Sequence, residues 1–372
     1  MTFFWIVFVL GFAYATALLG NWYALINPWK LLSDSLARLW PGYTKGRWAY
    51  PQALQSWPAL ALYAGFIWLE LLGGTTPFSL AAWLCAYTLL NLLGIGLFGQ
   101  RDWLRHVEFM GLFFALIARM APLAVSQQQG RLQLRLRWPL AGLLTRPVQD
   151  FSQLAFILFM LSSTAFDGLH ETRPWLRFFW EDLYHAVLID WVGSNPLAAF
   201  PAMTQWLLAW QSLWLLVWGL LYCLCYLLFI EASRRLAGAE QNWRSFALAF
   251  ATSLLPIVLV YNISHYYTLI ETQGVKIVVL ASDPFGYGWD LFGTADWLQR
   301  TIIPDAATVW HVQVALIVLG HIASVVVAHK QAVGMFASRR QALLSQLPML
   351  LLMLLFTVAG LWVMSQPVMA GA

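Results

Sequence analysis

The sequence predicts an all-α fold: a polytopic transmembrane helix bundle of about nine spans, forming a single integral membrane domain over residues 1–372. Three observations lead there. Hydrophobic residues make up 60 % of the chain and charged residues only 10 %, with a mean hydropathy of +0.66. A water-soluble domain cannot hide that much apolar surface. The apolar residues also fall into runs of about 20, the length at which a helix crosses the hydrocarbon core. Modest loops join the runs, with no separate polar domain between them. In lipid, only helices or closed barrels satisfy their own backbone, and runs this long read as helices.

In chain order the predicted spans are Phe3–Ile26, Trp57–Leu72, Thr76–Gly99, His106–Val125, Phe151–Leu169, Met203–Ile230, Phe246–Ile270, Ala307–Ala328 and Leu343–Met364. The first has no basic residues ahead of it and no small-residue cleavage site before Asn21, so it is expected to stay in the mature chain. The second is short. Between the first two, Asn27–Trp40 starts with a proline and places apolar residues at helical spacing, as an interfacial helix does. After the fourth, Arg131–Trp138 alternates polar and apolar residues, the period of a short strand. Gly168 is expected to end the fifth helix.

Charge sorts the loops. Those after the fourth, sixth and eighth spans carry Arg131, Arg135, Arg137 and Arg146; Arg234, Arg235 and Arg244; and Lys330, Arg339 and Arg340. Loops five and seven, residues 171–202 and 271–306, are longer and acidic. The positive-inside rule puts the basic loops in the cytoplasm and the acidic ones outside, although Lys30, Arg38, Lys45 and Arg47 in the first loop run against it. The net charge of +4 is scattered over these loops, which argues against a nucleic-acid partner and for the lipid bilayer. The 22 tryptophans, many near span ends, read as interfacial anchors. Cys85, Cys223 and Cys225 lie inside apolar runs, and the last two would point about 200° apart on one helix, which suits neither a disulfide nor a thiolate metal site. Gly94-Ile95-Gly96-Leu97-Phe98-Gly99 matches the letters of a dinucleotide loop, but it sits inside a span with no strand before it, so these are helix-packing glycines.

Ionisable residues at membrane depth are the functional candidates, because burying them is costly. His106 and Glu108 open the fourth span, Asp167 and His170 close the fifth, Asn262 and His265 lie near the end of the seventh, and His311 opens the eighth, with His321 near its middle. All but His321 fall toward the side of the acidic loops, where they would line one polar vestibule. His265, His311 and His321 are the candidate metal ligands, able in principle to hold a transition metal or haem iron between two helices. His265 and His311 are the better matched in depth. Asp167 and His170, with Ser163 one turn earlier, are the candidate catalytic group. Glu70 and Arg119 read as charges paired with other helices. The run Ser282–Thr294 mixes turn residues with aromatics and acids, and is expected to order as a lid or partner-docking loop.

Five stretches carry a family resemblance: NPWK at Asn27–Lys30, SSTAFDG at Ser162–Gly168, HYYTL at His265–Leu269, SDPFGYGWDLFGT at Ser282–Thr294, and VWHVQ…GHIA…AH across Val309–His329. On these runs the chain resembles a bacterial family of polytopic membrane proteins commonly labelled fenitrothion hydrolase, and the resemblance covers most of its length. The resemblance implies a multi-pass protein of the bacterial inner membrane that hydrolyses an organophosphate-type ester. It assigns no catalytic residues, so the candidates above rest on their own chemistry. Members with extra sequence ahead of the NPWK run leave room for a partner segment or subunit at the N-terminus; loops five and seven are the other docking candidates. Metal-assisted hydrolysis through His265, His321 and Asp167 is the first expectation. The alternatives are a haem- or copper-holding redox subunit, a transporter or channel, and a scaffold. No strong internal repeat favours a typical secondary transporter.

Overall fold

The structure, a computed structural model, describes residues 2–128, 131–297 and 305–366; the part of loop seven from residue 298 to 304, including Arg300, lies outside the described residues. Along the chain run α1 (Phe3–Leu19), α2 (Pro28–Leu39), α3 (Trp57–Leu71), α4 (Pro77–Phe98), α5 (Gln100–His106) and α6 (Phe109–Ile117). An antiparallel hairpin of β1 (Leu123–Gln128) and β2 (Arg131–Leu136) follows. Then come α7 (Phe151–His170), α8 (Pro196–Leu236), α9 (Trp243–Ala251), α10 (Leu255–His265), α11 (Ala306–Met335) and α12 (Arg339–Ser365). Helix accounts for 77 % of the structure and strand for 3 %, so the all-α class holds.

Six stretches among the described residues are long and apolar enough to cross a membrane: Pro77–Phe98, Phe151–His170, Leu197–Leu236, Trp243–His265, Ala306–Met335 and Arg339–Ser365. Phe3–Leu19 and Trp57–Leu71 are shorter apolar helices. The chain is an integral membrane protein on this evidence of length and composition. The expected span His106–Val125 is not one helix. α5 ends at His106, Glu108 starts a new helix by capping it, and α6 runs only 9 residues before the chain turns into β1. Nine residues rise about 14 Å, less than half the hydrocarbon thickness. Gly168 does not end α7 either; the helix continues to His170. Phe166, Leu169 and His170 are all buried around it, and that packing outweighs the roughly 1 kcal/mol that a mid-helix glycine costs.

The contacts divide the chain into two compact units. The first holds Met1–Ala59, Thr76–Val148 and Thr252–Val327. Its helix starts follow local rules. Asn27 caps α2, accepting from the backbone N–H groups of Trp29 and Lys30, with Pro28 in the first turn. Thr76 and Ser79 cap α4 reciprocally. The glycine run at the end of α4 is a packing surface: a Cβ on Gly94 would stand 2.2 Å from the Trp103 ring and one on Gly96 2.9 Å from Tyr43. Trp103 in turn donates to Asn91 Oδ1 at 2.9 Å.

The second unit holds Leu60–Thr75, Gln149–Ala251 and Ala328–Ala372. α7 is its central helix, 83 % buried over its apolar window, with α8, α9 and α12 packed around it. Gly219 on α8 lets the Phe159 ring of α7 approach to 2.9 Å of where a Cβ would stand. Tyr226 of α8 donates to the Ala247 carbonyl of α9 at 2.6 Å, and Tyr222 stacks on Phe356 of α12 at 4.7 Å. α8 is 41 residues long. At its start, Ala199 and Met203 join Phe179, Tyr184 and Leu188 in a small core of their own. The latter three come from loop five, which is helical over Arg173–Arg177, Phe178–Leu188 and Ile189–Val192. Cys85, Cys223 and Cys225 are all free thiols.

Candidate functional site

In the first unit, α10 and α11 run antiparallel and are clamped by a two-way bond. Gln313 Nε2 donates to the Ser264 carbonyl at 2.9 Å, and Ser264 Oγ donates to the Gln313 carbonyl at 3.4 Å. One and a half turns along, a Cβ on Gly320 would meet Val260 Cγ2 at 2.0 Å, so the helices touch backbone to side chain there. These two contacts set the register. They place His265 within about one turn, roughly 2–6 Å, of the level of His311, and about 9–13 Å along the axis from His321. Nearby, Tyr14 of α1 donates to Asn262 Oδ1 at 2.9 Å and Tyr267 to Glu271 at 2.6 Å. Asn262, Ser264, His265, Tyr267, Glu271, His311 and Gln313 thus form a polar collar at the end of the α10–α11 pair.

The histidine tautomers follow from their partners. His311 Nδ1 lies 2.6 Å from the Ala307 carbonyl, and His321 Nδ1 lies 2.7 Å from the Ile317 carbonyl. A carbonyl can only accept, so each Nδ1 carries the hydrogen and each Nε2 keeps its lone pair. His311 is exposed; His265 and His321 are half-buried, and His265 packs edge-on against Tyr266 at 4.8 Å. Asp305 starts α11 by accepting from Thr308 N and Oγ1, both at 2.8 Å. Those bonds hold the Asp305 carboxyl below the ordinary carboxylate range. Among the described residues no group of three or more His, Cys, Asp or Glu side chains is placed to share a metal ion.

Glu108 occupies a different environment in the same unit. It is fully buried and accepts five hydrogen bonds: from Asn27 Nδ2 (2.9 Å) and Gly111 N (2.8 Å) on Oε2, and from Met110 N (3.0 Å), Tyr87 (3.1 Å) and Tyr23 (3.4 Å) on Oε1. The backbone donors make it the cap of α6; the side-chain donors tie that cap to α2, α4 and the Tyr23–Ile26 turn. Rings of Trp29, Trp83, Phe109 and Phe114 pack on the two tyrosines at 4.7–5.2 Å. Asn27 and Pro28 are legible in sequence as a helix start, but nothing in sequence shows that the same amide reaches Glu108. Arg119 does not pair with a carboxylate through any hydrogen bond described; its Nη1 donates to the Arg146 carbonyl at 2.9 Å.

Asp167 and His170 belong to the second unit. His170 is buried, and its Nδ1 sits 2.8 Å from the Asp167 main-chain carbonyl, so its Nε2 also keeps the lone pair. Phe166 stacks on the same ring at 5.4 Å. The hydroxyls of Ser162, Ser163 and Thr164 each donate back to a carbonyl of their own helix at 3.2–3.3 Å.

Loop seven is ordered over Ser282–Thr294. Ser282 Oγ pairs with Thr294 Oγ1 at 2.7 Å and accepts from Phe292 N, while Asp283 accepts from Tyr287 N and Gly288 N. Its aromatics face outward: Phe285, Tyr287 and Phe292 are each about 70 % exposed, so they do not form the underside of a closed lid. No family model, curated protein or solved structure matches the chain.

Proposed function

We propose that this membrane protein hydrolyses lipid-soluble phosphate esters, and that His265 and His311 carry the reaction. The observation behind the choice is the reciprocal Ser264–Gln313 bond, which fixes the two helices so that both imidazoles fall at one level of the polar collar. The substrate class comes from the family resemblance of the HYYTL, SDPFGYGWDLFGT and VWHVQ runs. Such esters partition into the bilayer and would meet the collar at a helix end. His311 Nε2, with its lone pair kept by the Ala307 bond, takes a proton from water as the water oxygen attacks phosphorus. The aryloxide leaves. Asp305 keeps a negative charge beside the resulting imidazolium. His265 orients the ester, and the proton held on His311 Nε2 is then released to the aryloxide or to solvent, restoring the neutral base.

A second reading places the base at His170, favoured by its burial and its own fixed tautomer, with Asp167 one turn before it. The two are separable. Protein reconstituted in nanodiscs is assayed with a chromogenic p-nitrophenyl dialkyl phosphate. On the first reading, His311→Ala and His265→Ala each lower kcat by about 100-fold or more, while His170→Ala and Asp167→Asn leave it within about twofold, the residual expected of residues outside the reaction. Loss confined to His170→Ala selects the second reading. Absence of any turnover that depends on one of these residues rejects the hydrolase.

A further inference from the structure

Among the described residues, the leucine row of β2 is left largely uncovered. The register pairs Leu123 with Leu136, Ala124 with Arg135, Val125 with Leu134 and Ser126 with Gln133. Successive residues of a strand point to opposite faces. Leu132, Leu134 and Leu136 therefore share a face with Leu123 and Val125, and Arg131, Gln133 and Arg135 share the other. The leucine row is bare: Leu132 and Leu134 are about half exposed, and Leu136 and the following Trp138 are 85 % exposed. A lone two-stranded hairpin is marginal in water, and four large apolar side chains facing water make it worse.

The same segment is strongly cationic. No acidic residue occurs between Glu108 and Asp150, a stretch that carries Arg119, Arg131, Arg135, Arg137 and Arg146. Arg137 is spent on the end of α6, donating to the carbonyls of Ala118 (2.7 Å), Arg119 (3.2 Å) and Ala121 (2.8 Å). Burial, and then the neighbouring charge of Arg146, hold the Arg137 guanidinium below its ordinary value, so these two cations lie close together. Arg131, Arg135 and Arg146 are exposed. The ion pairs found among the described residues lie elsewhere, at Glu181 and Glu231.

The root of the hairpin is fixed in depth. A Cβ on Gly20, which ends α1 at φ +88°, would stand 2.3 Å from the Leu123 carbonyl and 3.0 Å from Val125. The hairpin therefore leaves from the end of an apolar helix, the level at which that helix would reach a membrane surface. The charge of the segment also matches the loop that the positive-inside rule assigns to the cytoplasm, the leaflet rich in anionic lipid.

We propose that the hairpin is an in-plane lipid-binding element: its leucine row and Trp138 lie in the headgroup–acyl boundary, and Arg131, Arg135 and Arg146 bind the phosphates of anionic phospholipids. The strand plays the part usually given to a basic amphipathic helix. Long arginine side chains lie along the apolar edge while their heads reach phosphate.

The test uses the full chain with its three cysteines replaced and a spin label at Leu134→Cys or, separately, Gln133→Cys. It is reconstituted in phosphatidylcholine alone or mixed with phosphatidylglycerol. The expected result is a label at 134 that collides with oxygen but is shielded from a water-soluble nickel chelate, with the label at 133 showing the reverse. The shielding at 134 deepens with phosphatidylglycerol and is lost in an Arg131→Gln, Arg135→Gln, Arg146→Gln chain. A label at 134 open to nickel in both mixtures overturns the proposal, because the hairpin then stands in water. A label protected from both reagents overturns it in favour of a protein partner or a second copy. Equal shielding in the two mixtures overturns the phosphate assignment. Should the cysteine-free chain fail to fold, native mass spectrometry of the unlabelled protein serves instead. Retention of phosphatidylglycerol over phosphatidylcholine should fall by about tenfold or more in the triple variant, since each basic side chain at an anionic surface is worth about fivefold. An unchanged preference overturns the proposal.

Discussion

Asn27 Nδ2 donates to Glu108 Oε2 at 2.9 Å while Asn27 Oδ1 accepts from the backbone of Trp29 and Lys30. One amide therefore serves two helix starts, capping α2 directly and holding in place the carboxylate that caps α6.

Asn27→Ala should remove both functions at once. It strands two N–H groups of α2 and one acceptor site of a buried carboxylate, at a cost of about 2–3 kcal/mol. Asn27→Ser keeps the cap and loses only the reach to Glu108, so it should lie between wild type and Asn27→Ala. Unfolding midpoints in detergent would show the order; equal midpoints for Ser and Ala would mean that the Glu108 contact contributes nothing.

Glu108→Gln tests whether the acceptor pair is needed. Each carboxylate oxygen faces at least one backbone donor, so an amide nitrogen put in either place opposes an N–H. The tyrosine hydroxyls can rotate and the backbone cannot. The expected loss is about 1–3 kcal/mol, the usual cost of unsatisfied buried groups. A variant as stable as wild type would show that the site tolerates a donor.

At Gly320, α11 packs directly against Val260 of α10. Gly320→Val should drive the helices apart against Val260, with an overpacking cost of about 1–3 kcal/mol. Val260→Ala in the same chain should recover part of that loss, as coupled neighbours do. Failure of the second change to help would place the clash elsewhere. Ester turnover should fall with Gly320→Val as well, because the collar is set by the same packing.

Much of this was legible in the sequence, and the reasons differ by element. Long uniform apolar runs at Pro77–Phe98, Phe151–His170 and Arg339–Ser365 leave a helix no alternative in lipid, and composition alone reveals them. The strand at Arg131–Leu136 and the helix at Pro28–Leu39 were readable from period and cap. The break inside His106–Val125 is hidden because Glu108 and Pro122 are single interruptions within an apolar stretch; Glu108 caps a new helix, and Pro122 stands just before β1. Gly168 was misread because tertiary burial overrode local propensity. The collar was partly visible, since depth along a helix can be counted. The clamp between Ser264 and Gln313 was not, because two neutral polar residues on separate helices carry no spacing signal.

Asp305 supplies a dependence on pH. Its folded-state pKa lies below the unfolded value, so its contribution to the start of α11 is complete at neutral pH and disappears as pH falls through the folded value. Acidification below the ordinary aspartate value of about 3.9 should therefore lower the thermal midpoint of wild type more than that of Asp305→Asn, which has no carboxyl to protonate. Parallel midpoint curves for the two proteins would remove Asp305 from the account.

α8 has 41 residues and so extends about 62 Å, twice the roughly 30 Å of a bilayer's hydrocarbon. Fitting all of it into lipid would need an inclination near 60°, whereas membrane helices stay within about 40° of the normal. Much of the helix must therefore stand clear of the membrane as a mast, and the small core of Phe179, Tyr184, Leu188, Ala199 and Met203 is built around its first turns. That platform needs headroom on its side of the bilayer. It is also a part of the chain that a protease, an antibody fragment or a crosslinker would reach when added to that side of the membrane.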